Sequence, residues 1–346
     1  MVFELTDSLI DRSVLDSKSH RDSLHNLFLG FEEGNLILSL SPELLDFLDA
    51  GLDDTLSKRV INRLQHSVFA HYNVLWQTKV VLKNPNTDNH ELSIDFFKNS
   101  STIQPPTLLC ENLNDTQFYF ALCEEYFGVD YLNKKNARGG GGSSTADNLE
   151  QIVNNKDSFC LCIVDSDIKY PGSGNGGTYD AIVNKGLIPY PTYEVFKLFV
   201  HEIENLIPIE IIGKHIKKKD DRVFSKRLKA IDKGGDVLKY YDIKEGIKLS
   251  AINVLPGYYQ FAKMVFDRLK KPTDHTSFEE YLADLSRKKI NQVFAPLNPG
   301  ILDTFLALDL RYHKRFVYCD YLRDDWDKIK EVIVTFFCAR PADPIN

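Results

Sequence analysis

The chain has 346 residues, of which 43% are hydrophobic and 26% charged, and its formal net charge is −7. This length favours two domains, or one domain with a large appendage, and the apolar content is ample for ordinary cores. The negative charge excludes a protein that coats nucleic acid over its whole surface, so a nucleic-acid contact must be local. No segment has the apolar length of a signal peptide or a membrane span, which predicts a cytoplasmic protein without a membrane partner.

The first hundred residues combine helix and strand patterns. SPELLDFLDAGL predicts a helix capped by Ser41, and HYNVLWQTKVVLKN and HELSIDFFK predict strands. The two prolines of STIQPP forbid a helix and discourage a central strand, so a domain boundary is placed there. We predict an N-terminal α+β region over 1–104, a core over 105–215 and a mostly helical region over 216–346.

The core alternates strand and helix patterns. TLLC at 107–110 and the apolar run at 159–164 predict buried strands, and the residues after TLLC have helical spacing. A loop rich in glycine and serine leads into a helix capped by Thr145 or Asp147. TYDAIVNKG and TYEVFKLFVHEIENLIP predict two more helices. This order predicts an α/β fold with a largely parallel sheet flanked by helices.

Acidic residues follow each of the two predicted core strands. Glu111 and Asp115 come after the first strand, and Asp165 and Asp167 come after the second. Open α/β sheets keep their sites at the carboxyl ends of parallel strands. Carboxylates that converge there require a hard cation, for which Mg²⁺ or Mn²⁺ is the natural candidate. Such an ion can activate water and polarise a phosphate oxygen.

The segments LLCENLND and CIVDSD together resemble the TOPRIM (topoisomerase/primase) domain, in which one strand ends in glutamate and a later strand ends in an Asp-x-Asp pair. An acid four residues after the glutamate, here Asp115, is similar to the nucleases of the OLD (overcoming lysogenization defect) family and to related phage-defence effectors. HEIENLIP resembles the short helix that supplies a further site glutamate in some of those effectors, here Glu204. The chain departs from the family at Asn112, where glycine is usual.

This resemblance implies a TOPRIM-like core and an endonuclease that cuts or nicks nucleic acid, DNA in preference to RNA, with metal-activated water. It implies that Glu111, Asp165 and Asp167 are catalytic residues and metal ligands, with Asp115 and Glu204 as further ligands. It also implies a toxic effector of bacterial anti-phage defence. The resemblance further implies a separately encoded ATPase or sensor partner, and the lack of a Walker motif in this sequence fits that expectation. Assembly as a homo-oligomer stays open.

A basic segment follows the predicted core. KHIKKKDDRVFSKRLK at 214–229 has eight Lys or Arg among sixteen residues. Cations of this kind offset nucleic-acid phosphates, although a solvated helix face explains the segment equally well. Lys214 is also the candidate for proton transfer or for stabilising the transition state. The predicted nucleic-acid contacts are Lys169, Lys214, His215, Lys217, Lys218 and Lys219.

Two other interpretations stay open. One is a primase or a topoisomerase-like enzyme. The topoisomerase-like enzyme needs a nucleophilic tyrosine, and the sixteen tyrosines of the chain leave that residue unresolved. The other is a non-catalytic binding or regulatory subunit, in which the strand-end acids serve as turn or cap residues. The glycines of GSGNGG at 172–177 fit neither a P-loop nor a dinucleotide fingerprint, and we interpret them as a mobile loop over the site.

Overall fold

Apolar strands alternate with amphipathic helices along the chain and give an α/β fold with parallel sheets. The computed structural model describes residues 1–66, 76–126, 132–155, 158–187, 190–269, 275–308 and 320–338. The chain forms two compact units. Unit 1 comprises Met1–Ile163, Ala181–Phe196 and Lys328–Asn346, and unit 2 comprises Val164–Asp180 and Lys197–Asp327.

The N-terminal part of unit 1 contains a four-stranded sheet in the order β2-β1-β3-β4, with parallel pairing throughout. Its strands are β1 Val2–Leu5, β2 Ile37–Leu40, β3 Thr78–Val81 and β4 Glu91–Ser93. Its helices are α1 Arg12–Asp16, α2 Lys18–Glu32, α3 Pro42–Gly51 and α4 Thr55–His66. The predicted cap is confirmed, because the Ser41 hydroxyl accepts a hydrogen bond from the Leu44 amide at 3.1 Å.

A second four-stranded sheet has the order β6-β5-β7-β8. Its strands are β5 Thr107–Cys110, β6 Ala137–Gly139, β7 Cys160–Val164 and β8 Tyr193–Lys197. The helices that follow them are α5 Leu113–Ala121, α6 Thr145–Asn155 and α7 Gly177–Asn184. Strand β5 pairs in parallel with β6 and with β7, and Cys110 lies opposite Ile163. The predicted strands β5 and β7 are confirmed, and both are buried along their whole length, as apolar central strands should be.

The remaining elements are mostly helices. They are α8 Ile209–His215, α9 Lys219–Ile231, α10 Leu249–Val254, α11 Pro256–Arg268, α12 Phe278–Arg287, α13 Ile301–Leu306 and α14 Arg323–Phe337. A short antiparallel pair joins β9 Ile247–Lys248 to β10 Gln292–Phe294. Within the described ranges, no helix is long and apolar enough to cross a membrane.

One helix prediction is wrong. TYEVFKLFVHEIENLIP forms strand β8, an irregular stretch and a short 3₁₀ helix, Ile203–Leu206, in place of one long helix. The Cys160 amide donates to the Thr192 carbonyl at 2.9 Å, so this segment satisfies backbone groups at the free side of β7. Its aromatic and β-branched residues suit a strand, and sheet pairing outweighs the helical spacing of the apolar side chains.

Aromatic packing holds the core of unit 1 together. Phe3 lies edge to face against both Phe97 and Phe159, with ring centroids 5.4 Å apart in each pair. Each fully buried phenylalanine contributes roughly 1.5–3 kcal/mol of hydrophobic free energy. Cys160 and Cys162 are also fully buried, and burial raises the pKa of Cys160 to about 12. These thiols therefore pack as small apolar side chains.

Candidate metal centre

The site in unit 2 begins where β7 ends, at the segment Asp165-Ser166-Asp167. The Ser166 hydroxyl donates to the Val200 carbonyl, and the Asp167 amide donates to the His201 carbonyl at 2.8 Å. Asp167 has a left-handed backbone with φ 51°, a conformation that aspartate tolerates better than most residues. These bonds fix the strand end against residues 200–201.

The neighbouring segment is held by the buried amide of Asn205. Its Nδ2 donates to the Leu238 and Tyr241 carbonyls at 2.7 and 2.8 Å, and its Oδ1 accepts from the Glu202 amide at 3.1 Å. Each hydrogen bond of this side-chain amide is made with a backbone group, so Asn205 fixes the conformation of the surrounding backbone. The Asp165 carboxylate accepts from the Ile203 amide at 3.0 Å, which joins this segment to the strand end.

Three side chains converge between these segments. Asp167, His201 and Glu202 each offer one ligand atom, and these atoms all lie within 4.8 Å of one another. Nitrogen and oxygen ligands lie about 2.0–2.2 Å from an ion such as zinc, so two ligands of one ion are at most about 4.4 Å apart. A small closure of the three side chains is therefore enough to hold one cation.

His201 is the buried member of this triad, with 3% of its surface exposed. Its Nε2 lies 3.3 Å from Glu202 Oε1 and 3.7 Å from Asp242 Oδ2. Its Nδ1 is buried and has no hydrogen-bond partner among the residues that the structure describes. An imidazole with one nitrogen facing carboxylates and the other unpartnered is suited to metal ligation.

Lys244 provides the positive charge beside the triad. Its Nζ lies 2.7 Å from Glu202 Oε2 and 3.3 Å from Glu204 Oε2. Burial by itself lowers the pKa of Lys244, but the charges of Glu204 and Glu202 outweigh burial and raise this pKa. Glu204 is only 4% exposed, so the ion pair compensates a carboxylate that is almost completely buried.

The pKa values of the two acids that flank His201 are shifted in opposite directions. Burial raises the pKa of Glu202 to about 7, although His201 and Lys244 act against this rise. Burial also acts to raise the pKa of Asp242, but the nearby His201 ring and a hydrogen bond from the Glu245 amide outweigh burial, so the net shift of this pKa is downward. Asp242 is therefore a fixed negative charge at neutral pH, while Glu202 exchanges its proton near pH 7.

The triad lies on the wall of a cavity of about 570 Å³. The glycine-rich loop at 172–177, Lys169 and Leu255 also contribute to its lining. A β-carbon at Gly176 would lie 2.0 Å from Asp167 Oδ2, so the loop approaches this carboxylate closely only because residue 176 is glycine. This volume lies within the range of small-molecule sites in proteins.

Two of the predicted metal ligands belong to unit 1. Glu111 follows β5, and its carbonyl accepts from the Gly141 amide at 3.0 Å. Burial raises the pKa of Cys162, and the negative charge of Glu111 raises it further, which places this carboxylate near β7. Asp115 is 7% exposed and accepts from the Asn112 amide at 2.8 Å, so it caps the start of α5.

The predicted nucleic-acid contacts fall into two groups. Lys169 is exposed and lines the cavity, whereas the residues at 214–219 do not. Lys214 and His215 form the last turn of α8, and Lys219 begins α9. In the described part of the chain, no acid forms an ion pair with Lys217, Lys218 or Lys219, and all three are exposed. This basic segment is available to solvent.

The sequence pattern missed His201, Glu202, Asp242 and Lys244. His201 and Glu202 open the motif HEIENLIP, in which the family resemblance points only to Glu204. Asp242 and Lys244 occur in YYDIKEG, which matches no motif, so no sequence signal pointed to them. No protein-family model, curated protein or solved structure matches this chain, so the chemistry of the site follows from its own residues and geometry.

Proposed function

We propose that the chain is a divalent-metal-dependent phosphodiesterase that hydrolyses nucleic acid. The observation that carries this proposal is the convergence of Asp167, His201 and Glu202 within 4.8 Å on the wall of a cavity of about 570 Å³. Carboxylates and an imidazole nitrogen in one cluster are a metal-ligand set. When bound, the ion supplies an activated water and stabilises negative charge on a phosphate.

The ligand set favours Mn²⁺ over Mg²⁺. Mg²⁺ prefers oxygen ligands in octahedral geometry, whereas imidazole suits transition metals better. The other residues of the site hold these ligands in place. Asp242 orients the His201 ring, and Asp165 holds the backbone of Ile203 beside Glu202. We assign Glu204 and Lys244 to fixing the Glu202 carboxylate, because Lys244 pairs with both acids.

The resemblance to the TOPRIM domain extends this proposal beyond unit 2. It nominates Glu111 as a further catalytic residue and metal ligand, and Asp115 as a ligand in addition to its role as a helix cap. It also nominates Lys214 for catalysis and the exposed segment at 217–219 for contact with phosphates. An anti-phage effector role, with DNA as the first substrate to test and an ATPase or sensor as partner, belongs to the same proposal.

A second candidate function is supported by Lys244. The ammonium group of Lys244 already compensates the negative charges of Glu202 and Glu204. These three residues are therefore also consistent with an internal ion-pair network. On that interpretation the chain is a binding or regulatory subunit without catalysis. The two candidates differ in whether the triad binds a divalent ion.

Nucleic-acid cleavage with Mn²⁺ tests the proposal. Supercoiled plasmid and tRNA are incubated with wild type, with Asp167→Asn and His201→Gln, and with Glu111→Gln. We expect Mn²⁺-dependent cleavage that falls about 100-fold or more in each variant, because each loses a charge or ligand at the reacting centre.

Asp236→Asn is the matched control, since Asp236 is an exposed acid of the same unit. It should cleave like wild type. Cleavage at the wild-type rate in Asp167→Asn and His201→Gln would rule out the proposed metal centre. A wild-type protein that neither cleaves nor binds Mn²⁺ would favour the second candidate. If Asp167→Asn and His201→Gln lose cleavage while Glu111→Gln keeps full activity, only the proposed role of Glu111 is ruled out.

A further inference from the structure

Unit 1 contains a smaller cavity, of about 210 Å³, and half of the residues that line it are aromatic. Its size is below the roughly 300–1,000 Å³ of sites for drug-sized ligands, so it suits a single ring system. Its aromatic and acidic lining residues are Trp76, Asp88, His90, Tyr190, Tyr193 and Glu194. None of them belongs to the metal centre.

The aromatic walls are held in place by packing. Trp76 and His90 stack with ring centroids 4.7 Å apart and planes 11° apart, and Trp76 also meets Phe336 edge to face at 5.9 Å. His90 has a left-handed backbone, with φ 55°, after a short 3₁₀ helix, Thr87–Asn89. Burial lowers the pKa of His90, so its ring is neutral at pH 7 and stacks as an aromatic group. The cavity therefore offers a rigid surface for a planar ligand.

Two polar groups of the cavity have opposite hydrogen-bonding roles, since one is a donor and the other is an acceptor. The Nε1–H of Trp76 is buried and has no acceptor among the described residues. Glu194 lies on β8, and burial raises the pKa of its carboxyl, while no lysine, arginine or histidine of the described ranges pairs with it. A ligand that satisfies both groups must carry an acceptor for the indole and donors for the carboxylate.

We propose that this cavity binds a guanine base. Guanine is planar, its O6 and N7 are acceptors for the Trp76 indole, and its N1–H and N2–H are adjacent donors for the two oxygens of Glu194. Adenine, cytosine and uracil each present an acceptor beside a donor on their pairing edge, so they leave one carboxylate oxygen without a donor. A quaternary ammonium ion suits aromatic walls and an acid but offers no acceptor to the indole.

The base, and not the phosphate, is the recognised group. Asp88 and Glu194 both line the cavity, and their charges repel a phosphate. Guanosine should therefore bind at least as tightly as GMP. A guanine in single-stranded nucleic acid has the same base and can enter the same cavity if its strand leaves it unpaired. The site does not require the metal centre, and it adds base selection to the proposed nucleic-acid function.

Tryptophan fluorescence provides the test, because the chain has only two tryptophans. Trp326 is 2% exposed and its indole donates to the Leu206 carbonyl, so a ligand in the cavity should quench Trp76 alone. The Asp167→Asn protein is titrated with guanosine, adenosine, cytidine and uridine in EDTA. We expect guanosine to bind about tenfold or more tightly than the other three.

Variants assign the binding to the proposed contacts. Glu194→Gln should weaken guanosine binding about tenfold and remove the preference, whereas Glu43→Gln, an exposed acid of α3, should bind like the parent. Trp76→Ala should weaken binding about tenfold or more by calorimetry, because it removes the indole donor and the ring against which His90 stacks. Trp76→Phe keeps an aromatic ring against His90 and loses the donor, so it should weaken guanosine binding in a protein whose circular dichroism is unchanged.

The ligand source is read from two further titrations. Equal binding of guanosine and of an unstructured guanine-containing oligonucleotide assigns the cavity to nucleic acid, and binding of guanosine alone assigns it to free nucleosides or nucleotides. No binding of guanosine, equal binding of all four nucleosides, or tighter binding of tetramethylammonium would overturn the proposal. Since these titrations use a metal-free, cleavage-deficient protein, they are independent of the phosphodiesterase assay.

Discussion

At Gly176 the main chain lies against the Asp167 carboxylate, and a single methyl group has no room there. The nearest atom to an added β-carbon is Asp167 Oδ2, at 2.0 Å. Gly174 lines the same cavity, but an added β-carbon there meets nothing within 4 Å. The two glycines therefore provide a matched pair for testing whether the position of this carboxylate matters.

We expect Gly176→Ala to lose most Mn²⁺ binding and to destabilise the fold by about 1–3 kcal/mol, because the methyl group displaces Asp167 or the loop. Gly174→Ala should bind Mn²⁺ normally and unfold within about 1 kcal/mol of wild type. Calorimetric titration with Mn²⁺ and urea denaturation measure the two effects. Equal Mn²⁺ affinity in both variants would show that the loop does not fix the ligand.

At the scale of elements, the segment from His201 to Leu206 owes its shape to one buried amide more than to its own helix. The 3₁₀ helix Ile203–Leu206 is too short to be stable alone, and Asn205 ties it to two carbonyls at Leu238 and Tyr241. Those hydrogen bonds therefore hold the candidate ligands His201 and Glu202 in position.

Asn205→Asp should therefore lower stability by roughly 2–4 kcal/mol, because a carboxylate cannot donate to the two carbonyls and remains buried. Mn²⁺ affinity should fall with it, since Glu202 loses its support. Asn253→Asp changes the same chemical group at an exposed position of α10 and should have little effect. Urea denaturation followed by circular dichroism checks the prediction, and unchanged stability in Asn205→Asp would contradict it.

The sequence predicted those elements whose signal is local. The apolar runs of β5 and β7 and the cap at Ser41 depend on a few adjacent residues, and all three are confirmed. Strand β8 was missed because its register depends on β7, a partner about thirty residues earlier in the chain. Strand β6 has three residues beside a run of glycines, and only its pairing with β5 defines it.

The same division applies to the site. The sequence predicts Asp165 and Asp167 as site residues because they follow a recognisable strand and occur as a pair, and the structure places Asp167 in the triad while Asp165 accepts from the Ile203 amide. The contribution of His201 and Glu202 depends on the turn after β8, and that of Lys244 on a contact across about forty residues. Long-range contacts of this kind have no local pattern, so the fold alone brings these side chains together.

For the whole molecule, the net charge of −7 conceals an uneven distribution. Acids gather at the candidate metal centre, while Lys217, Lys218 and Lys219 form an exposed basic segment. Acidic clusters of this kind destabilise the folded chain unless a cation compensates them. Lys244 supplies part of that compensation, and a divalent ion would supply more.

Thermal unfolding with Mn²⁺ should therefore depend on pH. A hundredfold excess of Mn²⁺ over its Kd stabilises the fold by about 2.7 kcal/mol. Because the pKa of Glu202 is raised to about 7, this residue is mostly protonated at pH 6 and ionised at pH 8. A proton competes with the metal, so the affinity for Mn²⁺ should be about tenfold higher at pH 8.

Without metal, the effect of Glu202 on stability changes with pH in the opposite direction. The folded state binds the Glu202 proton more tightly than the unfolded state, so this residue's contribution to stability falls as pH rises from about 4.5 to about 7. Glu202→Gln should remove both the fall and most of the gain with Mn²⁺, whereas Asp236→Asn should keep both. Melting curves from pH 5 to pH 8, with and without Mn²⁺, measure both effects. A stabilisation by Mn²⁺ that is independent of pH would exclude Glu202 as a ligand.

The left-handed backbone of Asp167, with φ 51°, determines how this position should be mutated. Alanine there would combine two losses, because it removes the charge and also places an ordinary β-carbon in a conformation that costs roughly 1–2 kcal/mol. Asparagine keeps the shape and tolerates the torsion angle, so it isolates the charge. An alanine scan of this chain would overstate the electrostatic role of residue 167 by the amount of that torsional cost.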